Sequence, residues 1–320
     1  MKKIYLLCLI VLMPVLTFGQ AKKIYRKALR TDNVQEKIEL LTQVIALEPK
    51  HYDAYFHRGI AKNDIGDYFG AIMDYSKIIV FNPDPNSYFN RGNSKFSLQD
   101  YEGAKLDYEH AFKLDPEFYD ALYNLALTKY FLEDYQGSIT DINTLIKVAP
   151  KHSELYLHRA NAYLKLKKYE FAMTDFTTAI LINPNTNTYY SRGLALLQIN
   201  YFEAAKNDFD KSITIDTNNV SAHFYRGAAH LLLGKYKEAI SDFTTTLNNN
   251  PLDYEALLGL ALTYYKLNDL KNAKLNLEKV RSVLAVDSEK PITVESFTDT
   301  FWYIHQFYFF KENLDRILKI

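Results

Sequence analysis

The chain has almost no thiol chemistry available to it: one cysteine, Cys8, in 320 residues. A lone cysteine closes no intramolecular disulfide and builds no cysteine metal site. Glycine (11) and proline (9) are scarce as well, which excludes collagen-like and low-complexity disordered chains. Neither sign of charge dominates, since 38 Lys and Arg face 38 Asp and Glu along an interspersed sequence. Without a basic stripe there is no electrostatic footprint for nucleic acid. Glycine-rich phosphate loops, HExxH and nucleophile elbows are missing, and the eight histidines include no pair at i, i+4. No catalytic residue, metal or cofactor is therefore assigned, and the reading is of a protein that is not an enzyme.

What the chain does have is apolar content (48%), 26 Tyr, 20 Phe and a period. The stretch from Val220 to Pro251 reads as a helical hairpin. His223, Arg226, Gly227 and His230 share one face of a first helix that stops at Gly234. A second helix runs from about Tyr236 to Asn248, with Ala239, Phe243 and Thr246 inward at i, i+4, i+7, and Pro251 ends the unit. The small residue of the first helix recurs as Gly59, Gly92, Ala126, Ala160, Gly193, Gly227 and Ala261, in steps of 33 or 34 residues. Such a unit cannot bury its apolar face alone, so the period predicts stacked hairpins. An arginine precedes the small residue at Arg58, Arg91, Arg159, Arg192 and Arg226, each 16 residues ahead of an aspartate: Asp74, Asp107, Asp175, Asp208 and Asp242. Five copies of one pair indicate structural ion pairs between the two helices. Where Leu125 replaces the arginine, Asp141 is expected to reach Arg159 of the next unit.

The order of small residue, tyrosine, alanine, phenylalanine and proline resembles the tetratricopeptide repeat, over about residues 21–285. The resemblance implies an all-α, right-handed superhelical solenoid of about eight hairpins closed by a C-terminal capping helix segment. The units are 21–51, 52–84, 85–118, 119–152, 153–185, 186–219, 220–253 and 254–285, the first irregular as an end cap is. It further implies a non-catalytic protein–protein interaction scaffold or adaptor whose first helices line a concave groove for a protein or peptide segment. Carried over position by position, that groove holds Phe56, Phe89, Asn90, Asn93, Tyr123, Asn124, His158, Asn161, Tyr190, Phe224 and Tyr225. Rings would supply contact area and amides would pair with a peptide backbone; the alternative is that the same rings pack between adjacent first helices. The family's chaperone-binding members clamp a terminal carboxylate with lysines and asparagines, and here the lysines are missing from the matching places.

Both ends depart from the period. Residues 1–19 have a basic start at Lys2 and Lys3, an apolar run from Ile4 to Phe18 and small residues at Thr17 and Gly19, the layout of a secretory signal peptide cleaved after Gly19. Retention as an anchor is the competing reading, but the run spans only about 22 Å against a hydrocarbon core of ~30 Å, and Pro14 interrupts it. The expected location is the periplasm or cell envelope of a Gram-negative bacterium, with no membrane span left after cleavage. Residues 286–320 form an aromatic C-terminal cap. Its alternative role is self-association into a homo-oligomeric, structural envelope protein through Phe301, Trp302, Tyr308 and Phe309.

Overall fold

The computed structural model describes residues 19–284 and 292–319; all but Gly19 of the proposed 1–19 leader, and the break at Glu289–Pro291, lie outside them. Every described element is helical, with no strand among the described residues. The chain divides into two compact units, one ending at Pro150 and one beginning at Lys151.

The first unit opens with α1 (19–28) and α2 (Val34–Leu47), followed by hairpins α3–α4 (Tyr52–Asp64, Tyr68–Phe81), α5–α6 (Pro85–Ser97, Tyr101–Leu114) and α7–α8 (Tyr119–Phe131, Tyr135–Val148). The second unit holds α9–α10 (Ser153–Lys165, Tyr169–Ile182), α11–α12 (Thr186–Gln198, Phe202–Ile215), α13–α14 (Val220–Leu232, Tyr236–Asn249) and α15–α16 (Tyr254–Lys266, Leu270–Val283). It ends in a 3₁₀ turn (Val294–Phe297), α17 (Phe301–His305) and α18 (Phe307–Ile317). No helix among the described residues is long and apolar enough to cross a membrane.

From Tyr52 to Val283 each hairpin is cut to one measure: a first helix of 13 residues, a three-residue turn and a second helix of 14. The turn explains the constancy. Its middle residue is left-handed every time, at Gly66, Gln99, Glu133, Lys167, Asn200, Gly234 and Asn268, with φ between 56° and 78°. That conformation lets the next backbone N–H turn back onto the helix just finished, as Asp100 N–H does onto the Lys95 carbonyl at 2.9 Å. In four hairpins an aspartate then caps the second helix: Asp67, Asp100, Asp134 and Asp269 each accept the N–H three residues on, at 2.8–3.1 Å. The variable part is the loop between hairpins. It has three residues at 82–84 and 183–185 and four at 115–118, 216–219 and 250–253. The alternation of 33- and 34-residue steps is the alternation of these loops.

In five of the seven hairpins a buried ring on the second helix, Tyr75, Tyr108, Phe176, Phe209 or Phe243, packs against the small residue of the first; Ile142 and Leu277 stand in its place in the other two. The fit leaves no room for a side chain: a Cβ on Gly59 would sit 2.7 Å from the Tyr75 ring. Phe243 is pressed from two sides, because a Cβ on Gly259 in the following hairpin would lie 2.6 Å from it. This ring-between-helices contact is how one hairpin buries the next.

Because Lys167 holds a conformation that costs a non-glycine residue about 1 kcal/mol, Lys167→Gly should stabilise the protein by up to that amount. Gly234→Ala should destabilise it by a similar amount. Urea denaturation measures both, and equal midpoints for parent and variants would show that the turn stores no strain.

Candidate functional site

The polar interior comes first, because it sets the position of the first helices whose faces form the candidate groove. All five arginine–aspartate pairs are present: Arg58–Asp74, Arg91–Asp107, Arg159–Asp175, Arg192–Asp208 and Arg226–Asp242. Each is bidentate through Nε and Nη2 at 2.6–3.0 Å. The aspartates are buried. In four of these arginines Nη1 reaches back to the second helix of the preceding hairpin: Thr42 for Arg58, Ser76 for Arg91, Thr177 for Arg192 and Asp210 for Arg226, at 2.8–3.2 Å. One guanidinium thus braces its own hairpin and ties it to its neighbour, which a lysine could not do.

A second cation, 12 residues ahead of the aspartate, was not evident from the sequence. Lys62 meets Asp74 at 2.9 Å, Lys95 meets Asp107 at 2.8 Å and Lys129 meets Asp141 at 2.6 Å. Asp141, expected to turn to Arg159, thus has its cation inside its own hairpin. Burial raises the Asp141 carboxyl, and Lys129 alone does not bring it back to the ordinary range. Asp242 has the opposite balance. Burial pushes it up too, but hydrogen bonds from His230 (3.1 Å), Arg226 and His223 (3.2 Å) outweigh that and hold it below the usual value. In the last hairpin both partners are replaced together, by Leu260 and Asn276, so no buried charge is left alone.

In the first unit the predicted groove positions lie on consecutive first helices α3, α5 and α7. Phe56 stands edge-on to Tyr75, with centroids 5.9 Å apart. Phe89 lies 5.9 Å from Tyr108 and 4.8 Å from Phe118. Phe56, Phe89 and Tyr123 are all half-buried. The amides are partly engaged already. Asn90 Nδ2 donates to its own helix at Asn86, while Asn93 Oδ1 accepts from both Tyr108 Oη (2.8 Å) and Asn124 Nδ2 (2.9 Å). Asn93, Tyr108 and Asn124 line a cleft of about 270 Å³ together with Phe96, Ser97 and Leu127. With its carbonyl doubly engaged, Asn93 has its NH₂ group to offer a ligand.

Ile60 stands one hairpin earlier in the place of Asn93, and there the buried Tyr75 hydroxyl has no partner among the described residues.

In the second unit the positions fare differently. His158 and Asn161 are half-buried on α9, and burial lowers the His158 pKa. Tyr190 packs 6.1 Å from Phe209 and 6.0 Å from Tyr225. Phe224 is only 7% exposed, because Phe301 and Trp302 cover it, both at 6.2 Å. Phe301 also stands 5.4 Å from Tyr225. Phe301 and Trp302, read from sequence as a self-association surface, are thus 8% and 0% exposed against the chain's own hairpins. Of that quartet Tyr308 is open, at 87%, and Phe309 is half-buried under the Lys266 ammonium.

Three sequence models, each of the tetratricopeptide repeat, match this chain: one at 153–186, one at 233–275, and one at 85–118, 119–152 and 186–219. Together they cover more than half of the chain, which belongs to the tetratricopeptide-repeat family. Human serine/threonine-protein phosphatase 5 is similar over 116 residues at 30% identity, 36% of this chain but only 22% of the phosphatase. Among solved structures, a tetratricopeptide repeat protein from Parabacteroides merdae superposes with a TM-score of 0.61 at 19% identity, over 81% of this chain and 99% of that one. The C-terminal part of a repeat-containing protein from Cytophaga hutchinsonii gives 0.60 at 17%, over 76% and 99%. At those identities the likeness is one of fold.

Two predictions follow from the polar interior. The depressed folded pKa of Asp242 means its stabilisation is complete above the ordinary aspartate range and is lost as pH falls through the folded value. Asp242→Asn should therefore cost about 3 kcal/mol near neutrality and less at about pH 3, measured by denaturation at both; a gap that widens in acid would reverse the assignment. Tyr75→Phe, which removes an unpartnered hydroxyl, should stabilise by about 1 kcal/mol, whereas Tyr108→Phe should destabilise by about as much. Equal effects of the two would show that the Asn93 hydrogen bond is idle.

Proposed function

We propose that this chain is a non-catalytic adaptor of the bacterial cell envelope, holding an extended protein or peptide segment along the first-helix face of its first unit. The observation that carries the reading is the row Phe56, Phe89 and Tyr123, three half-buried rings at one repeat position on α3, α5 and α7, with the Asn93 and Asn124 amides of α5 and α7 lining a cleft. Rings of this kind anchor through contact area at small entropic cost, and amides pair with the backbone of an extended segment. The carboxylates of the hairpin interiors are tied into ion pairs and serve the fold. Location in the envelope rests on the leader pattern of residues 1–19.

The test is affinity capture from Gram-negative envelope extracts by the parent and by a Phe89→Glu, Tyr123→Glu double variant of equal helicity. A partner held by the parent and lost at least about tenfold by the variant supports the groove; equal capture moves the site off this face. N-terminal sequencing of the envelope-borne protein should begin at Gln20, and a chain that begins at Met1 removes the export reading.

A further inference from the structure

The tail of the second unit has two parts with different surroundings. α18 packs on α15 and α16 through Phe310, Leu314 and Ile317, all buried, and covers the last hairpin. The stretch Asp299–Gln306 instead runs along the first-helix face. Phe301 and Trp302 lie over Phe224 and Tyr225 of α13, at predicted groove positions, and Trp302 also meets Phe243 at 6.1 Å. Four polar contacts tie the stretch to the second unit. Phe301 N–H donates to Glu255 Oε2 at 2.9 Å, and Trp302 Nε1–H donates to the Glu255 carbonyl at 3.1 Å. Tyr254 Oη donates to Asp299 at 3.1 Å, and Gln306 Nε2 donates to Asn200 Oδ1 at 3.1 Å.

From these contacts we infer that Asp299–Gln306 is an intramolecular ligand of the α13–α15 face. That face is therefore a site for a segment bearing two consecutive aromatic residues, the second an indole. The inference rests on the reading that the first-helix face is the binding face. α17 has only five residues, too short to be stable as a helix by itself, so its order depends on the rings beneath it. Beside it lies a cleft of about 410 Å³ lined in part by Ser221, Tyr225, Asn250, Asp253, Tyr254 and Glu255. An incoming segment seats there first and completes its contacts as the strap lifts. Until then the strap lowers the apparent affinity by the fraction of molecules in which it is docked.

Trp302 is the only tryptophan of the chain, so its emission reports the strap in the intact protein. In a denaturant titration of the full chain, the Trp302 signal should change before far-UV helicity is lost; coincident transitions make the segment an integral cap and overturn the inference. A fluorescein-labelled peptide of residues 297–309 should bind the Phe301→Ala, Trp302→Ala variant at least about tenfold tighter than the parent, by polarisation. Equal binding, no binding to the variant, or loss of the variant's helicity each overturn it. The Phe89 and Tyr123 positions lie in the other unit, so capture that depends on them stands or falls separately.

Discussion

Five of the seven hairpins are built on a buried ring from the second helix, Tyr75, Tyr108, Phe176, Phe209 or Phe243. Phe243 is the clearest case: Gly227 accommodates it from inside the hairpin and Gly259 from the next. Burial of such a ring is worth about 2–3 kcal/mol, and it is complete only when the neighbour is in place. The arginine brace acts on the same joint. Its Nε and Nη2 hold the second helix, while Nη1 fixes where the preceding hairpin stands. Apolar burial supplies the drive and the guanidinium fork supplies the register.

The hairpin period and the inward rings were legible because small residues and aromatics recur at fixed steps from Gly59 to Ala261. The arginine–aspartate pairs were legible because both members recur 16 apart. The second cation escaped notice, since a lysine at 62, 95 or 129 looks like any solvent-facing lysine until the helices are packed. His230 takes that place beside Asp242, which hid the pattern further. The left-handed turn residues were half legible. Gly66, Gly234, Asn200 and Asn268 are types that tolerate the conformation, whereas Gln99, Glu133 and Lys167 are not, and only the fixed three-residue turn forces them into it. The strap was least legible, because composition does not say whether Phe301 and Trp302 meet a partner or the chain's own repeats.

The groove positions divide by surroundings. Phe56, Phe89 and Tyr123 are half-buried, while Phe224 is closed over by an aromatic pair from the same chain. If the first-helix row of the first unit binds a segment as proposed, the same repeat position serves binding there and packing under the tail.

The loops between hairpins are where the chain has room to change length. Inside a hairpin an inserted residue would rotate everything beyond it by about 100°, turning the ring and the aspartate away from their partners. Between hairpins the protein already uses both three and four residues and keeps the same stacking unit on either side. Insertions and deletions in descendants of this gene, and peptide tags placed by an experimenter, should accordingly survive around 115–118, 216–219 and 250–253 and be purged from the turns at 98–100, 166–168 and 233–235.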